Sequence, residues 1–262
     1  MEAIIYFLIF IIGTLFGSFF TLAVYRIPIK QSIMYGRSYC PKCNHRLEFL
    51  DLIPILSYVF LRGKCRYCKE KIRPRYLALE LLSGITFLLF ALSLKINLYN
   101  LNINKLVYLC FGMLYLATLF IIAGIEKEKH YISKSVLVFG LILEIVYIIY
   151  LYIVGVSIYK YVIYLALILL LVLIETIIFK NNKNYTLQVL MLCLYFALFV
   201  KEEAVILTIV ATIFMIILKQ IVIHIKRKKE EILKNNDNKI IPIGFYLCVC
   251  NVIALILQNC TI

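Results

Sequence analysis

Long apolar runs separated by short polar segments dominate this 262-residue chain. The hydrocarbon core of a bilayer is about 30 Å thick, so a membrane-crossing helix needs roughly 20 apolar residues. Eight runs approach that length, and the run at 185–200 is the shortest of them. The pattern predicts an all-α polytopic membrane protein with about eight transmembrane helices, at residues 3–25, 77–94, 106–125, 135–154, 158–179, 185–200, 204–223 and 241–259.

One sizeable polar stretch interrupts this pattern, and it follows the first run. It divides the chain into a first helix (1–25), a polar module (26–76) and a seven-helix membrane domain (77–262). In the first helix Gly13 and Gly17 are four residues apart, a spacing that lets a second helix pack closely against them. The composition agrees with a membrane protein, because 64% of the residues are hydrophobic.

The distribution of Lys and Arg predicts the orientation of the helices. Residues 26–75 hold 12 basic residues and three acidic ones. With eight spans, the segments 126–134, 180–184 and 224–240 lie on the same side, which then carries 23 basic residues against four on the other. Cytoplasmic loops are the ones enriched in Lys and Arg. We therefore expect a multi-pass plasma-membrane or inner-membrane protein with a cytosolic polar module and both termini external.

The net charge of +14 follows mainly from this loop asymmetry, so it does not indicate nucleic-acid binding. The basic run KRKK at 226–229 is expected to face lipid headgroups, which makes membrane lipid a partner of the chain.

The polar module contains two Cys-x-x-Cys pairs, Cys40 with Cys43 and Cys65 with Cys68, separated by 21 residues. Two such turns can offer four thiolates to one tetrahedral zinc ion. The alternatives are two disulfides or four ordinary thiols, and a cytosolic location argues against disulfides. The apolar segment 51–64 lies between the turns, either on the membrane surface or beneath the metal site.

Few carboxylates lie within the apolar runs, and each is a candidate for function because an unpartnered charge there is costly. Glu80 follows the second Cys pair and is either functional or paired with Arg73 or Arg75. The others are Glu126 and Glu128 at the inner end of the third run, Glu144 within the fourth, and Glu175 near the inner end of the fifth.

Several stretches resemble the bacterial prepilin peptidases, the enzymes that cut leaders from type IV prepilins and then N-methylate the new terminus. The matching sequences are GSFFTLAVYRIP at 17–28, residues 36–76 around the Cys pairs, LELLSG at 79–84 and, more weakly, IPIGFYL at 241–247. The resemblance implies prepilin or pseudopilin leader peptides as substrates and S-adenosylmethionine as methyl donor. Glu80 matches a glutamate of the family, which implies a role in methylation or substrate contact.

The resemblance also implies an aspartic protease with two membrane-face aspartates, and here the chain departs from it. Glu126 to Glu128 occupy the region of the first aspartate, and Asn184 and Tyr185 stand in place of Gly and the second aspartate. A dyad built from Glu126 or Glu128 with Glu175 is chemically possible, but a displacement of about 1 Å can cost about 10²-fold in rate.

We therefore expect a family member with an intact zinc module and a degenerate peptidase site. The alternative is a non-catalytic membrane partner that binds prepilins or an intact peptidase.

Overall fold

The computed structural model describes residues 2–33, 35–36, 38–96, 102–177, 184–229 and 241–260, with the backbone alone at 223–229. These residues form helices and turns, with two isolated β-bridges in the polar module. The helices are α1 (Glu2–Arg26), α2 (Leu56–Phe60), α3 (Arg75–Ser93), α4 (Ile103–Lys129), α5 (Lys134–Ile153), α6 (Tyr159–Ile177), α7 (Tyr185–Phe199), α8 (Glu202–Lys229) and α9 (Ile243–Cys260).

The described helices match the predicted spans closely. Seven of them are long and apolar enough to cross a membrane. The eighth predicted span is α7, an apolar helix of only 15 residues, which is about 22 Å long and shorter than the hydrocarbon core. Prolines mark several helix ends, since Pro28 follows α1, Pro74 precedes α3 and Pro242 precedes α9. Residues 180–183 and 230–240 of the predicted basic segments lie outside the described residues.

The chain divides into two compact units, Met1–Gly124 and Ile125–Ile262. In the first unit α1 packs along α3, as the glycine spacing predicts. A Cβ atom on Gly17 would lie 2.8 Å from the Cα atom of Glu80, and one on Gly13 would lie 2.8 Å from the Cα atom of Gly84. The two backbones therefore approach too closely for any larger residue at these positions, which fixes how α3 and Glu80 sit against α1.

The second unit contains α5 to α9 and the last turn of α4. Here α6 packs along α7, and α8 packs along α9. The core lies around α7 and α9, where Leu192, Tyr195, Phe196 and Leu255 are fully buried. This packing places the start of α7 and the start of α9 beside the end of α4.

Candidate functional site

The two Cys-x-x-Cys sequences form two turns of the same construction. In the first turn the Cys40 amide donates to the His45 carbonyl, and the Asn44 amide donates to the Cys40 carbonyl. In the second, Cys65 and Lys69 make the equivalent bonds. An isolated antiparallel bridge closes each turn, Tyr39 with Arg46 and Lys64 with Lys71. The repeated spacing thus produces two matching loops, each presenting two sulfurs.

The four sulfurs of Cys40, Cys43, Cys65 and Cys68 all lie within 4.8 Å of one another. The Sγ atoms of Cys40 and Cys68 are 3.9 Å apart. Four thiolates around zinc, at about 2.3 Å each, would be separated by about 3.8 Å in a tetrahedron. The predicted residues therefore form a cluster that could hold a metal ion, and its spacing suits zinc.

The local backbone affects the thiols unequally. Backbone N–H groups at Cys43 and Lys42, opposed by burial, lower the pKa of Cys40 to about 7. The Glu70 amide lowers the pKa of Cys68, but burial and the neighbouring thiols together raise it to about 11.

Asp51 connects the second Cys turn to the segment between the two Cys pairs. Arg66, between Cys65 and Cys68, pairs with Asp51 at 2.6 Å, and the Asp51 side chain is only 3% exposed. The Tyr67 hydroxyl donates to the same carboxylate at 3.4 Å. Asp51 lies in a single 3₁₀ turn, Phe49–Asp51, in the segment between the Cys pairs. The second Cys turn is thereby tied to this segment without the metal.

Glu80 contacts the segment between the Cys turns, an arrangement that the sequence did not indicate. Its Oε2 atom accepts a hydrogen bond from the Ile55 amide at 2.7 Å, and Ser18 of α1 interacts with the same side chain. Ile55 has a φ of 63°, which is unfavourable for a β-branched residue. Glu80 thus joins α1, α3 and a strained turn of the module, and the strain makes this turn a candidate for function.

The second unit brings Glu126 and Tyr185 together. Glu126 lies near the end of α4 and is completely buried, and Tyr185 is the first residue of α7. The Tyr185 hydroxyl donates a short hydrogen bond to Oε1 of Glu126. Glu126 belongs to the region, Glu126 to Glu128, that the family resemblance matches to the first aspartate, and Tyr185 stands in place of the second. The described structure therefore has one carboxylate and one phenol in direct contact there.

The first turn of α9 completes this arrangement. The Gly244 amide donates to Oε1 of Glu126 at 2.8 Å, and the Ile243 amide donates to the Tyr185 oxygen at 2.9 Å. Free N–H groups at a helix start stabilise a negative charge. A Cβ atom on residue 244 would collide with the Glu126 carboxylate, which explains the glycine. We call Glu126, Tyr185, Ile243 and Gly244 the Glu126 cluster.

The other carboxylates of the sequence analysis lie in different surroundings. Glu128 is exposed at the end of α4. Glu175 is 2% exposed and forms an ion pair with Lys134 at 3.0 Å. Glu144 is buried within α5. A glutamate dyad with Glu175 would have to break the Lys134 pair, whereas Glu126 already has two polar partners in its cluster, the Tyr185 hydroxyl and the Gly244 amide.

Removal of the Tyr185 hydroxyl tests whether the Glu126 cluster stabilises the second unit. Tyr185→Phe leaves the half-buried Ile243 amide without its acceptor and removes one donor from Glu126. We expect the free energy of unfolding to fall by about 1–3 kcal/mol, the usual cost of such losses. Chemical denaturation in detergent measures this, with Tyr159→Phe as the control because Tyr159 is 82% exposed. If Tyr185→Phe and Tyr159→Phe were equally stable, the Glu126 cluster would not stabilise the second unit.

Comparison with known families finds a match in the first third of the chain. Residues 11–94 match the family described as the bacterial peptidase A24 N-terminal domain, a stretch that contains α1, both Cys turns and α3. The Glu126 cluster lies outside these residues. No solved structure matches the chain.

Curated relatives match part of the chain. The chain is 43% identical over 79 residues to a prepilin leader peptidase/N-methyltransferase of Myxococcus xanthus, covering 30% of this chain and 24% of that protein. It is 41% identical over 91 residues to one of Bacillus subtilis, covering 35% and 37%. It is 30% identical over 126 residues to one of Klebsiella pneumoniae, covering 46% and 51%. The chain thus spans about a quarter to a half of the length of these relatives.

Proposed function

Residues 11–94 make this chain a member of the bacterial prepilin peptidase family, and on that premise we propose that it acts in type IV prepilin processing without cutting the leader. The single observation that carries the proposal is the contrast between the two units. The first unit keeps the family's N-terminal domain with four converging thiols. The second has a hydrogen-bonded pair of Glu126 and Tyr185, where the resemblance matches the region of the first aspartate and the position of the second.

Prepilin or pseudopilin leader peptides are the proposed substrates. The names of the curated relatives support this, since each is a prepilin leader peptidase and N-methyltransferase. The excess of basic residues in 26–75 also suits a position beside an anionic membrane surface, where a short leader would meet the chain. We assign Glu80 to substrate contact or methylation, because it fixes the strained turn at Ile55.

Leader cleavage requires two acids that share a proton, so that one is ionised while the other can donate. In the Glu126 cluster the partner of the carboxylate is a phenol, whose ordinary pKa is about 10. Tyr185 already donates to Glu126 and accepts from the Ile243 amide. A phenol held in this way is a poor substitute for an ionised aspartate at neutral pH, which supports loss of the peptidase reaction.

Zinc is the proposed metal, bound by Cys40, Cys43, Cys65 and Cys68 to stabilise the module. S-adenosylmethionine is implied only by the name of the relatives. The depression in the module is lined by Arg62, Lys64, Lys71 and Arg73, and these cations oppose binding of a sulfonium. We therefore assign no methyl-transfer step to this depression.

We place the module in the cytosol and both termini outside, in the plasma or inner membrane. Support comes from the concentration of Lys and Arg in 26–75. A reporter inserted after Lys64 is expected to give a cytosolic signal, and one fused to the C-terminus an external signal. Two signals on the same side would contradict the eight-span arrangement, and α7 would then be the helix that does not cross.

Co-purification tests the proposed function. A prepilin that carries its leader is co-expressed with this chain, which bears an affinity tag. We expect the prepilin to co-purify with the chain of unchanged sequence and to keep its leader. Cys65→Ser is expected to reduce retention, since the module would lose its metal. The control is Cys110→Ser, an exposed cysteine of α4, which should leave retention unchanged. Absence of retention by the unmodified chain would contradict a role in prepilin processing.

A further inference from the structure

Part of the module presents large apolar side chains to its surroundings. On α2, Leu56, Val59 and Phe60 are spaced three and four residues apart, so they share one face of the helix. Phe60 is 80% exposed. The 3₁₀ turn that adjoins α2 adds Phe49, 81% exposed, and Leu50. We call these five residues the apolar ridge. Exposed apolar groups in such number indicate a binding surface.

The attachment of α2 to α3 gives the depth of the ridge relative to a bilayer. Helix α3 has 19 residues and is about 28 Å long, so its whole length is needed to cross a core of about 30 Å. Glu80 lies five residues after the first residue of α3, about 8 Å along the helix. Its Oε2 atom accepts the Ile55 amide at 2.7 Å, and α2 starts at the next residue. The start of α2 is therefore level with the second turn of a membrane-crossing helix.

Basic residues lie beside the ridge. The depression that contains Arg62, Lys64, Lys71 and Arg73 also includes Tyr58, a residue of α2. Tyr58 itself is turned inward, since its hydroxyl donates to the Ile72 carbonyl at 3.4 Å. One side of α2 is thus apolar and exposed, and the chain that follows it is cationic. This combination is typical of helices that lie in the interface of an anionic membrane.

We propose that the apolar ridge inserts into the interfacial zone of the bilayer and that the basic residues of the depression bind anionic lipid headgroups. The bilayer is the occupant that the geometry favours, because the ridge is held at the depth of the interface by the Glu80–Ile55 bond. The module is then anchored to the membrane between α1 and α3. Its Cys turns would keep a fixed height above the lipid.

Tryptophan fluorescence tests this directly, since the chain contains no Trp. Phe60→Trp creates a single fluorophore on the ridge, which is reconstituted in vesicles of anionic lipid with brominated acyl chains. Phe214→Trp supplies the reference for a lipid-facing side chain, as Phe214 is 60% exposed on α8. Tyr39→Trp supplies the comparison within the Cys turns. Bound zinc in each variant confirms a folded module.

We expect Phe60→Trp to be quenched nearly as strongly as Phe214→Trp and at least about twofold more than Tyr39→Trp, because interfacial helices bury their apolar face about 5–10 Å deep. Combining Phe60→Trp with Arg62→Gln and Lys71→Gln should reduce the quenching. Equal quenching of Phe60→Trp and Tyr39→Trp, with full quenching of Phe214→Trp, would overturn the proposal. A second result would also overturn the proposal: added prepilin shields the Phe60→Trp fluorophore from an aqueous quencher, while the brominated lipid does not quench it. The apolar ridge would then bind the prepilin and not the bilayer.

Discussion

Replacement of Cys65 by Ser is expected to reduce bound zinc from one ion per chain to none and to unfold the polar module. Cys65 is buried, and its sulfur belongs to the four that converge within 4.8 Å. Structural zinc contributes about 10–16 kcal/mol of apparent binding free energy in zinc-finger peptides, so loss of one thiolate removes a large part of the module's stability. Metal analysis of protein purified under reducing conditions, together with limited proteolysis of residues 26–75, measures both effects.

Cys110→Ser is the matched control for this prediction. Cys110 is exposed on α4, outside the module, and its replacement should leave the zinc content and the proteolysis pattern unchanged. The Asp51–Arg66 pair ties the second Cys turn to the 3₁₀ turn without metal, so some local structure should survive around it. An unmodified protein that contains no zinc, or a Cys65→Ser protein that keeps a full equivalent, would contradict the assignment.

The second large effect concerns the rate of leader cleavage. The purified unmodified chain is expected to cut a prepilin at least about 10²-fold more slowly than an intact relative, because positioned acid–base groups contribute about 10²–10⁴-fold to such reactions. Kinetic assays with one prepilin and both enzymes measure the ratio. Glu126 has no acid partner in its cluster, so Glu126→Gln should leave any residual rate unchanged.

A comparable rate for the two proteins would show that a glutamate dyad operates. Glu175→Gln is the informative variant in that case. Glu175 pairs with Lys134 at 3.0 Å, and a loss of activity on its replacement would mean that this pair opens during the reaction.

The helices and the metal turns could be predicted from the sequence because both depend on local spacing. A continuous apolar run determines a membrane helix, and all eight runs became helices whose bounds differ by a few residues from the prediction. Two residues between paired cysteines determine a turn that points both sulfurs the same way, and the four sulfurs converge as expected. The close packing at Gly13 and Gly17 also followed from a local spacing.

The Glu80 contact and the α9 part of the Glu126 cluster could not be predicted in this way. Glu80 accepts a hydrogen bond from the Ile55 amide, 25 residues earlier, and Glu126 accepts one from the Gly244 amide, 118 residues later. Backbone N–H groups are present at every non-proline residue, so no residue type marks them as partners. The Ile-Pro-x-Gly sequence at the start of α9 was the available signal. Its glycine is required because a Cβ atom would collide with Glu126.

The central claim is that this chain takes part in prepilin processing but does not remove the leader. The intact mass of a prepilin co-expressed with the unmodified chain, in a host without its own prepilin peptidase, tests it most directly. The Glu126 cluster predicts a pilin that retains its complete leader, while the same prepilin with an intact relative loses it. The claim would be contradicted if the pilin lacked its leader after co-expression with the unmodified chain and kept its leader after co-expression with the Glu126→Gln variant.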